Sequence, residues 1–502
     1  MKSAKYILSL SDISMAHSYY DIELNGITCY YNVSLLPYHI FEYKGNIYLF
    51  NREKVIPCKI EKRFAAMLGK ISVNPPNIPM PRSIMDELIR LELVKDAPMW
   101  GGSRETKTDG DVLREKSSAE DLSRLPVHAL SLNIAQRCNL KCVYCYGNEG
   151  EYGEEGLMDK KTAFRSVDWL IERSGETKKL AINFFGGEPL LNFPLMRKVV
   201  EYAEKRSGKL GKEIRFGITT NGTLLSNEII TYLKEHKISP LISFDGPAQD
   251  INRPFKDGQG SFAAVASNIK KLLTAMPDAS CRATVTDNEH PSSISEAIKK
   301  IGFSTCHVSE ATPGLLNKTG IGKTGNLLRM LEYYETEACE VLHGIKNRDD
   351  KNRFSVIARI IEQIFLKRKR YYGCGAGRGY LSVSSSGGVY PCHRFAGDEG
   401  TKLSNVFNGA LDREVYQRGI VARREECSSC WVKYFCGGGC LYVNKAVHGK
   451  LFKPDVSYCK KMKYLTKLAI HLYCQLDETD KKFLTRLFKK RSETEEIHKT
   501  YV

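Results

Sequence analysis

Cys138-Asn139-Leu140-Lys141-Cys142-Val143-Tyr144-Cys145 decides how this chain is read. The three thiols are separated by three and then two residues, directly after Leu130–Ile134, which has the apolar pattern of a strand. Three thiolates at this spacing can bind three irons of a cubane and leave the fourth without a protein ligand. Closed four-thiolate sites are the commoner arrangement, so an open iron implies that something else binds it. A zinc site is the plain alternative. Zinc normally takes a fourth Cys or His close by, and none follows within the next several residues.

Working outward, strand and helix patterns alternate from about residue 125 to 345. Expected strands are Leu130–Ile134, Leu180–Phe185, Ile214–Thr219, Pro240–Phe244, Arg282–Thr286 and His307–Ser309, with helices such as Lys161–Arg173 and Leu195–Arg206 between them. Such alternation indicates an α/β fold with a parallel sheet or open barrel. Ligands of such folds gather at the C-terminal ends of the strands. The informative motifs fall there: Phe184-Phe185-Gly186-Gly187-Glu188-Pro189 after the second strand, Thr219-Thr220-Asn221-Gly222-Thr223 after the third, and Ser243-Phe244-Asp245-Gly246-Pro247 after the fourth.

On the N-terminal side, Tyr38–Tyr43 and Ile47–Phe50 flank a turn at Lys44-Gly45-Asn46 and read as a hairpin. Helical segments follow around Glu61–Leu68 and Arg82–Leu93. Hairpin plus short helices point to a small winged-helix-like domain over residues 1–100. Residues 101–124 are polar with few apolar anchors and read as a linker. Residues 370–460 are rich in Cys, Gly and aromatics and have little room for an apolar core of their own, for which metal clusters would substitute. Residues 461–502 read as basic C-terminal helices.

The chain has 502 residues, enough for three or so domains. Its net charge of +17 implies either a basic solvated surface or an anionic partner, nucleic acid or an acidic peptide. No apolar run approaches the ~20 residues that span a bilayer. The apolar stretch Tyr6–Leu10 is too short for a secretion signal, so a cytoplasmic protein is expected. Sixteen cysteines are many for a reducing compartment, and their clustering, with seven between Cys374 and Cys459, reads as metal ligation rather than disulfide stapling.

Together the motifs resemble the radical S-adenosylmethionine superfamily over roughly residues 125–460. Its signature is this cysteine spacing with an aromatic, here Tyr144, before the last cysteine. The resemblance implies a partial (β/α)6 TIM-like barrel and a [4Fe-4S] cluster on Cys138, Cys142 and Cys145. S-adenosylmethionine would chelate the open iron through its amino and carboxylate groups. One electron then cleaves it to methionine and a 5′-deoxyadenosyl radical that takes hydrogen from the substrate, while the protein positions and shields the cofactor. Implied cofactor contacts are Gly186, Gly187 and Glu188 at the methionine amino group, Asn221 and Ser243 at polar groups, and the backbone of Tyr144 at adenine. Arg253 matches a later arginine of the family, at a spacing two residues shorter than usual. Arg282 is a further candidate for the cofactor carboxylate, or else a barrel salt bridge.

Cys427-x2-Cys430-x5-Cys436-x3-Cys440, followed by Cys459, reads by itself equally well as a zinc ribbon. Joined to the upstream motif it resembles the SPASM extension, which carries two auxiliary [4Fe-4S] clusters. The resemblance assigns Cys427, Cys430, Cys436 and Cys459 to one cluster, and Cys374, Cys392 and Cys440 to the other. SPASM domains place another cysteine six positions after the first, where this chain has Tyr380. The nearer auxiliary cluster then either keeps an iron open, able to bind and acidify a substrate thiol, or takes a fourth ligand such as Cys339. Sulfatase-maturing members have an aspartate base where this chain has His393, so their mechanism does not carry over, and His393 is given no role.

Cys145-Tyr146-Gly147, Phe184–Phe193, Tyr390-Pro391-Cys392-His393-Arg394-Phe395 and Tyr434–Cys440 are similar to thioether-forming peptide maturases of the ranthipeptide (SCIFF) type. That implies a ribosomal precursor peptide with a leader, bound by strand addition to the N-terminal domain, and an electron donor such as flavodoxin or ferredoxin. Carbon–carbon crosslinking, epimerisation or sulfatase-type oxidation would use nearly the same scaffold. The other class is an iron–sulfur regulator whose winged helix binds DNA; in such a protein the barrel motifs would serve no purpose.

Overall fold

The computed structural model describes residues 17–24, 27–34, 37–73, 87–93, 125–286, 289–311, 325–349 and 355–494. The expected linker at 101–124 and the first part of the expected helix at 82–93 lie outside these residues.

Six parallel strands form the central sheet: β6 (Ala129–Gln136), β8 (Lys179–Gly186), β9 (Glu213–Thr220), β10 (Ser239–Ser243), β11 (Ser280–Val285) and β12 (Thr305–Glu310). Each is hydrogen-bonded to the next in sequence, and helices such as Lys160–Arg173, Phe193–Gly208, Phe262–Ala275 and Pro291–Ile301 return the chain between them. This is the expected partial barrel. The short β7 (Gly156–Leu157) is antiparallel to β6. Local chemistry starts the helices, since Asp159 accepts from Thr162 N at 2.7 Å and Ser226 accepts from Ile229 N at 3.2 Å.

β6 is buried along its whole length, as a parallel strand covered on both faces must be. Its period of two separates Leu130, Leu132 and Ile134 from Ser131 and Asn133. The polar set continues in register across the sheet: Ser131 opposite Asn183, Asn183 opposite Gly217, and Ser243 opposite Arg282, which is opposite His307. Apolar side chains therefore pack the helix layer, and the concave inner face carries hydrogen-bonding groups.

The cysteine-rich segment is built onto this sheet. β13 (Tyr380–Val383) pairs parallel with β6 on the side away from β8, and β14 (Gly388–Tyr390) and β15 (Ser404–Asn405) follow antiparallel. Leu381, Val383, Val389 and Phe395 are buried in the main core. The missing apolar core is thus partly shared with the barrel. Helix Val456–Tyr473 begins before residue 461 and carries Cys459, so the expected boundary falls inside one helix. Helix Glu478–Thr494 follows.

Near the N-terminus, β1 (His17–Leu24) and β2 (Ile27–Ser34) form one hairpin. β3 (Tyr38–Tyr43), β4 (Asn46–Asn51) and β5 (Ile56–Ile60) form an antiparallel three-stranded sheet, followed by helix Lys62–Val73. β5 was not recognisable as a strand from its mixed pattern Ile56-Pro57-Cys58-Lys59-Ile60. This sheet docks on the cysteine-rich segment through aromatic rings: Trp431 stacks on His39 at 4.4 Å and on Phe41 at 5.4 Å, and Phe435 meets Phe50 at 5.4 Å. Such ring pairs contribute about 0.5–1.5 kcal/mol each beyond area burial. No helix among the described residues is long and apolar enough to cross a membrane.

Candidate functional site

The loop bearing Cys138, Cys142 and Cys145 leaves β6 at the C-terminal end of the sheet. Backbone bonds pin it to the segment after β10: Lys141 N donates to Pro254 O at 2.8 Å and Val143 N to Asn252 O at 3.0 Å. Cys138 Sγ accepts from Leu140 N at 3.4 Å and from Asn221 Nδ2 at 3.8 Å, and Cys142 Sγ lies 4.0 Å from Arg253 Nη1. Burial, then the charge of Glu188, pushes the Cys138 thiol up to about 11. Burial likewise pushes Cys142 up to about 12 against the pull of Arg253. As free thiols these groups stay protonated, whereas coordination to a metal strips the proton. Among the described residues no three Cys, His, Asp or Glu side chains converge as on a single metal ion. A cubane makes no such demand, because each thiolate takes its own iron. Three neighbouring thiols, two of them with N–H donors turned to their sulfurs, fit a cluster of that kind.

The Gly186-Gly187 turn is a place where backbone must come close. A Cβ on Gly187 would lie 2.3 Å from Arg137 O and 3.0 Å from Cys138 Cβ, and Gly186 adopts φ +133° with its would-be Cβ 2.1 Å from Ala135 O. Glycine is therefore required for the second strand's loop to abut the cysteine loop. The Glu188 side chain has a structural part. It is fully buried and its carboxylate accepts from Leu190 N, Thr220 Oγ1 and Asn221 N at 2.7–3.0 Å. Burial raises it to about 7 against those bonds. It clamps two loops together and presents no surface to a ligand. Asn221, also buried, gives its amide to Cys138 and Asn139 and so serves the cysteine loop directly.

The two arginine candidates separate cleanly. Arg253 is buried, with Nε 3.1 Å from Asp245 and its guanidinium 5.2 Å from the Tyr144 ring centroid. Asp245 is fully buried, receiving the Tyr144 hydroxyl and Thr284 N as well. Arg253, Asp245 and the Tyr144 side chain thus form a buried ionic brace under the cysteine loop. Sequence reading quoted Asp245 within its motif but missed this role, which only the pairing with Arg253 reveals. Arg282 stands instead in register between Ser243 and His307 and is exposed, yet burial, then the charge of Arg394, lowers its guanidinium to about 10. Both observations hold for a side chain that solvent reaches but that protein surrounds. Ser243, half-buried at the end of β10, lies beside it.

Cys427, Cys430, Cys436 and Cys459 line one cavity together with Tyr458 and Met462. Cys374, Cys392 and Cys440 form a second set whose sulfurs act on one another electrostatically. Burial first, then Cys440 and Cys374, pushes the Cys392 thiol up. Cys339 is exposed on helix Gly325–Lys346. Tyr380, at the position of the absent cysteine, is 2.7 Å through its hydroxyl from His393 Nδ1. His393 packs on Phe185 at 4.5 Å, and burial with the charges of Arg394 and Arg282 pushes it down to about 3. Spacing singled out Tyr380, His393 and Tyr146 one by one, but not the Tyr380–His393 bond or the contact of Tyr146 with His393.

Residues 132–301 match the Radical SAM superfamily model. An uncharacterised protein of Methanocaldococcus jannaschii is 41% identical over 133 residues, which are 26% of this chain and 44% of that protein, so the match spans less than half of that relative's length. The radical SAM cyclopropyl synthase TigE of Paramaledivibacter caminithermalis is 24% identical over 375 residues, 68% of this chain and 74% of the enzyme. Among solved structures, native anSMEcpe with bound AdoMet and Cp18Cys peptide shares the fold with a TM-score of 0.57 and 22% identity, over 69% of this chain and 98% of that one. Residues 132–301 are thus similar to the Radical SAM superfamily, a family that implies S-adenosylmethionine and a [4Fe-4S] cluster, and the wider chain is similar to a cyclopropyl synthase of that family and shares its fold with an AdoMet-bound structure.

Proposed function

We propose that the protein modifies a ribosomally made precursor peptide by radical chemistry, joining a cysteine sulfur of the peptide to a carbon of another residue. The observation that carries this reading is the set of three cysteines, Cys374, Cys392 and Cys440, with Tyr380 where a fourth would stand and its hydroxyl bonded to His393. A cluster on three thiolates keeps a position for a substrate thiol. The exposure of Cys339 on an outer helix speaks against it as the fourth ligand.

When bound, the barrel cluster and S-adenosylmethionine supply a 5′-deoxyadenosyl radical by one-electron cleavage of the sulfonium. The chain's own residues do the rest. Asn221 and Arg253 put donors against the cluster sulfurs, Glu188 and the Asp245–Arg253 pair keep the loops in place, and Arg282 with Ser243 holds the cofactor carboxylate. Cys427, Cys430, Cys436 and Cys459 bind the second auxiliary cluster. Residues 1–100 form a winged-helix-like module that recognises the leader by strand addition, and an electron donor such as flavodoxin or ferredoxin serves the enzyme in the cytoplasm.

Coexpression with a short cysteine-containing peptide encoded beside the gene tests the reading. Mass spectrometry is expected to show a product two hydrogens lighter, with thiols protected from alkylation. Cys436→Ala is expected to keep some uncoupled cofactor cleavage and lose the crosslink; full crosslinking by that variant refutes an auxiliary-cluster role. Salt-dependent binding of random duplex DNA without formation of 5′-deoxyadenosine favours a regulator instead.

A further inference from the structure

Three side chains that the sequence motifs did not assign form one cluster, each within two residues of a cysteine of the barrel loop or of the Cys374/Cys392/Cys440 set. The Arg394 guanidinium lies 5.0 Å from the ring centroid of Tyr146 and 5.8 Å from that of Tyr442, and the two rings are 5.9 Å apart at 61°. Each member belongs to a different cysteine: Tyr146 directly follows Cys145, Arg394 is two residues after Cys392, and Tyr442 is two residues after Cys440. Further ring contacts hold these side chains from both ends, Tyr152 against Tyr146 at 6.0 Å and Phe395 against Tyr442 at 5.4 Å.

A guanidinium packed beside two aromatic rings that touch each other is a held cation, attracted by the ring quadrupoles and unable to lose its proton. Burial opposes the charge, but the sulfurs of Cys440 and Cys392 and the two phenols outweigh it and raise the Arg394 pKa. Arg424, another arginine near these thiols, differs. Its guanidinium donates to the carbonyls of Gly419 and Gly438 at 2.7–3.0 Å, and it stands among cysteines of both auxiliary sets.

A fixed positive charge beside a cluster stabilises the form carrying one more electron, and so raises its reduction potential. We propose that Arg394, held by Tyr146 and Tyr442, is a positioning residue that sets the reduction potential of the cluster bound by Cys374, Cys392 and Cys440. This rests on the reading of those three cysteines as cluster ligands. It explains why the cation is clamped by rings: a mobile charge would give a variable potential.

The test is EPR-monitored redox titration of the full chain, reconstituted anaerobically, in a Cys138→Ala/Cys142→Ala/Cys145→Ala background that leaves only the auxiliary clusters. Arg394→Gln is expected to move one auxiliary midpoint to more negative potential, leaving the other midpoint and the iron content as they were. Arg394→Lys keeps the charge without the planar guanidinium and moves the same midpoint by less. If iron is retained and both midpoints stay put in the two variants, or both midpoints move together, the role of Arg394 is overturned while the cluster assignment stands. If the triple-alanine parent holds no cluster at all, the assignment itself falls and takes this role with it.

Discussion

The cysteine loop at the barrel mouth and the cysteine-rich segment from Cys374 to Cys459 hold buried thiols by different means. At the mouth, backbone bonds to Asn252 and Pro254, the Glu188 clamp and the Asp245–Arg253 brace hold the loop's shape. In the second region the secondary structure is short, as in helices Glu425–Ser428 and Lys433–Cys436, and four cysteines surround a cavity. Its packing comes from outside, from β13 joined to β6 and from the N-terminal rings on Trp431 and Phe435. A barrel can thus organise a metal site through its own strands and loops, whereas a segment of short elements whose apolar residues pack on its neighbours depends more on what its cysteines hold.

The comparison is sharpest at Cys142, where replacement by Ala is expected to abolish 5′-deoxyadenosine formation while the barrel stays folded, measured by turnover and circular dichroism. Removing iron with an anaerobic chelator is next in size. Hydrogen exchange is expected to lose protection across 374–459 by several kcal/mol, with β6 to β12 still protected; equal loosening of both regions would break the contrast. Gly187→Ala drives a methyl into the Arg137 carbonyl, and a shift of about 1 Å in the cysteine loop should slow cofactor cleavage by roughly 100-fold.

Smaller effects separate positioning from binding. Arg282→Lys keeps a charge but loses the fork, so the KM for S-adenosylmethionine is expected to rise roughly tenfold with the Tm unchanged. In the C-terminal helices Asp480 is buried, and burial opposes its charge, but bonds from Lys346, Arg348 and Asp477 N hold it down at about 2. A carboxylate depressed on folding contributes stability above its unfolded value near 4 and loses it as the pH falls through about 2. Because Lys346 and Arg348 are partly exposed, Asp480→Asn should cost about 1 kcal/mol at neutral pH and flatten the acid limb between pH 4 and 2, read from urea midpoints.

Much of this was legible in the residue order. A parallel sheet announces itself by apolar runs alternating with helical periods, and all six barrel strands were located within a few residues. Cysteine spacing carries ligand chemistry locally, because a loop of eight residues has few ways to present three thiols. What the order could not disclose depends on pairing across long separations. β13 joins β6 across some 250 residues, and His393, bonded to Tyr380, comes against Phe185 of the barrel. Arg253 and Arg282 look alike in sequence, and only the fold buries one against Asp245 and leaves the other exposed in register with Ser243. Glu188 reads as a ligand contact until its oxygens are found occupied. Local periodicity and spacing determine elements and metal chemistry, whereas which polar groups face a ligand is decided by neighbours that only tertiary packing supplies.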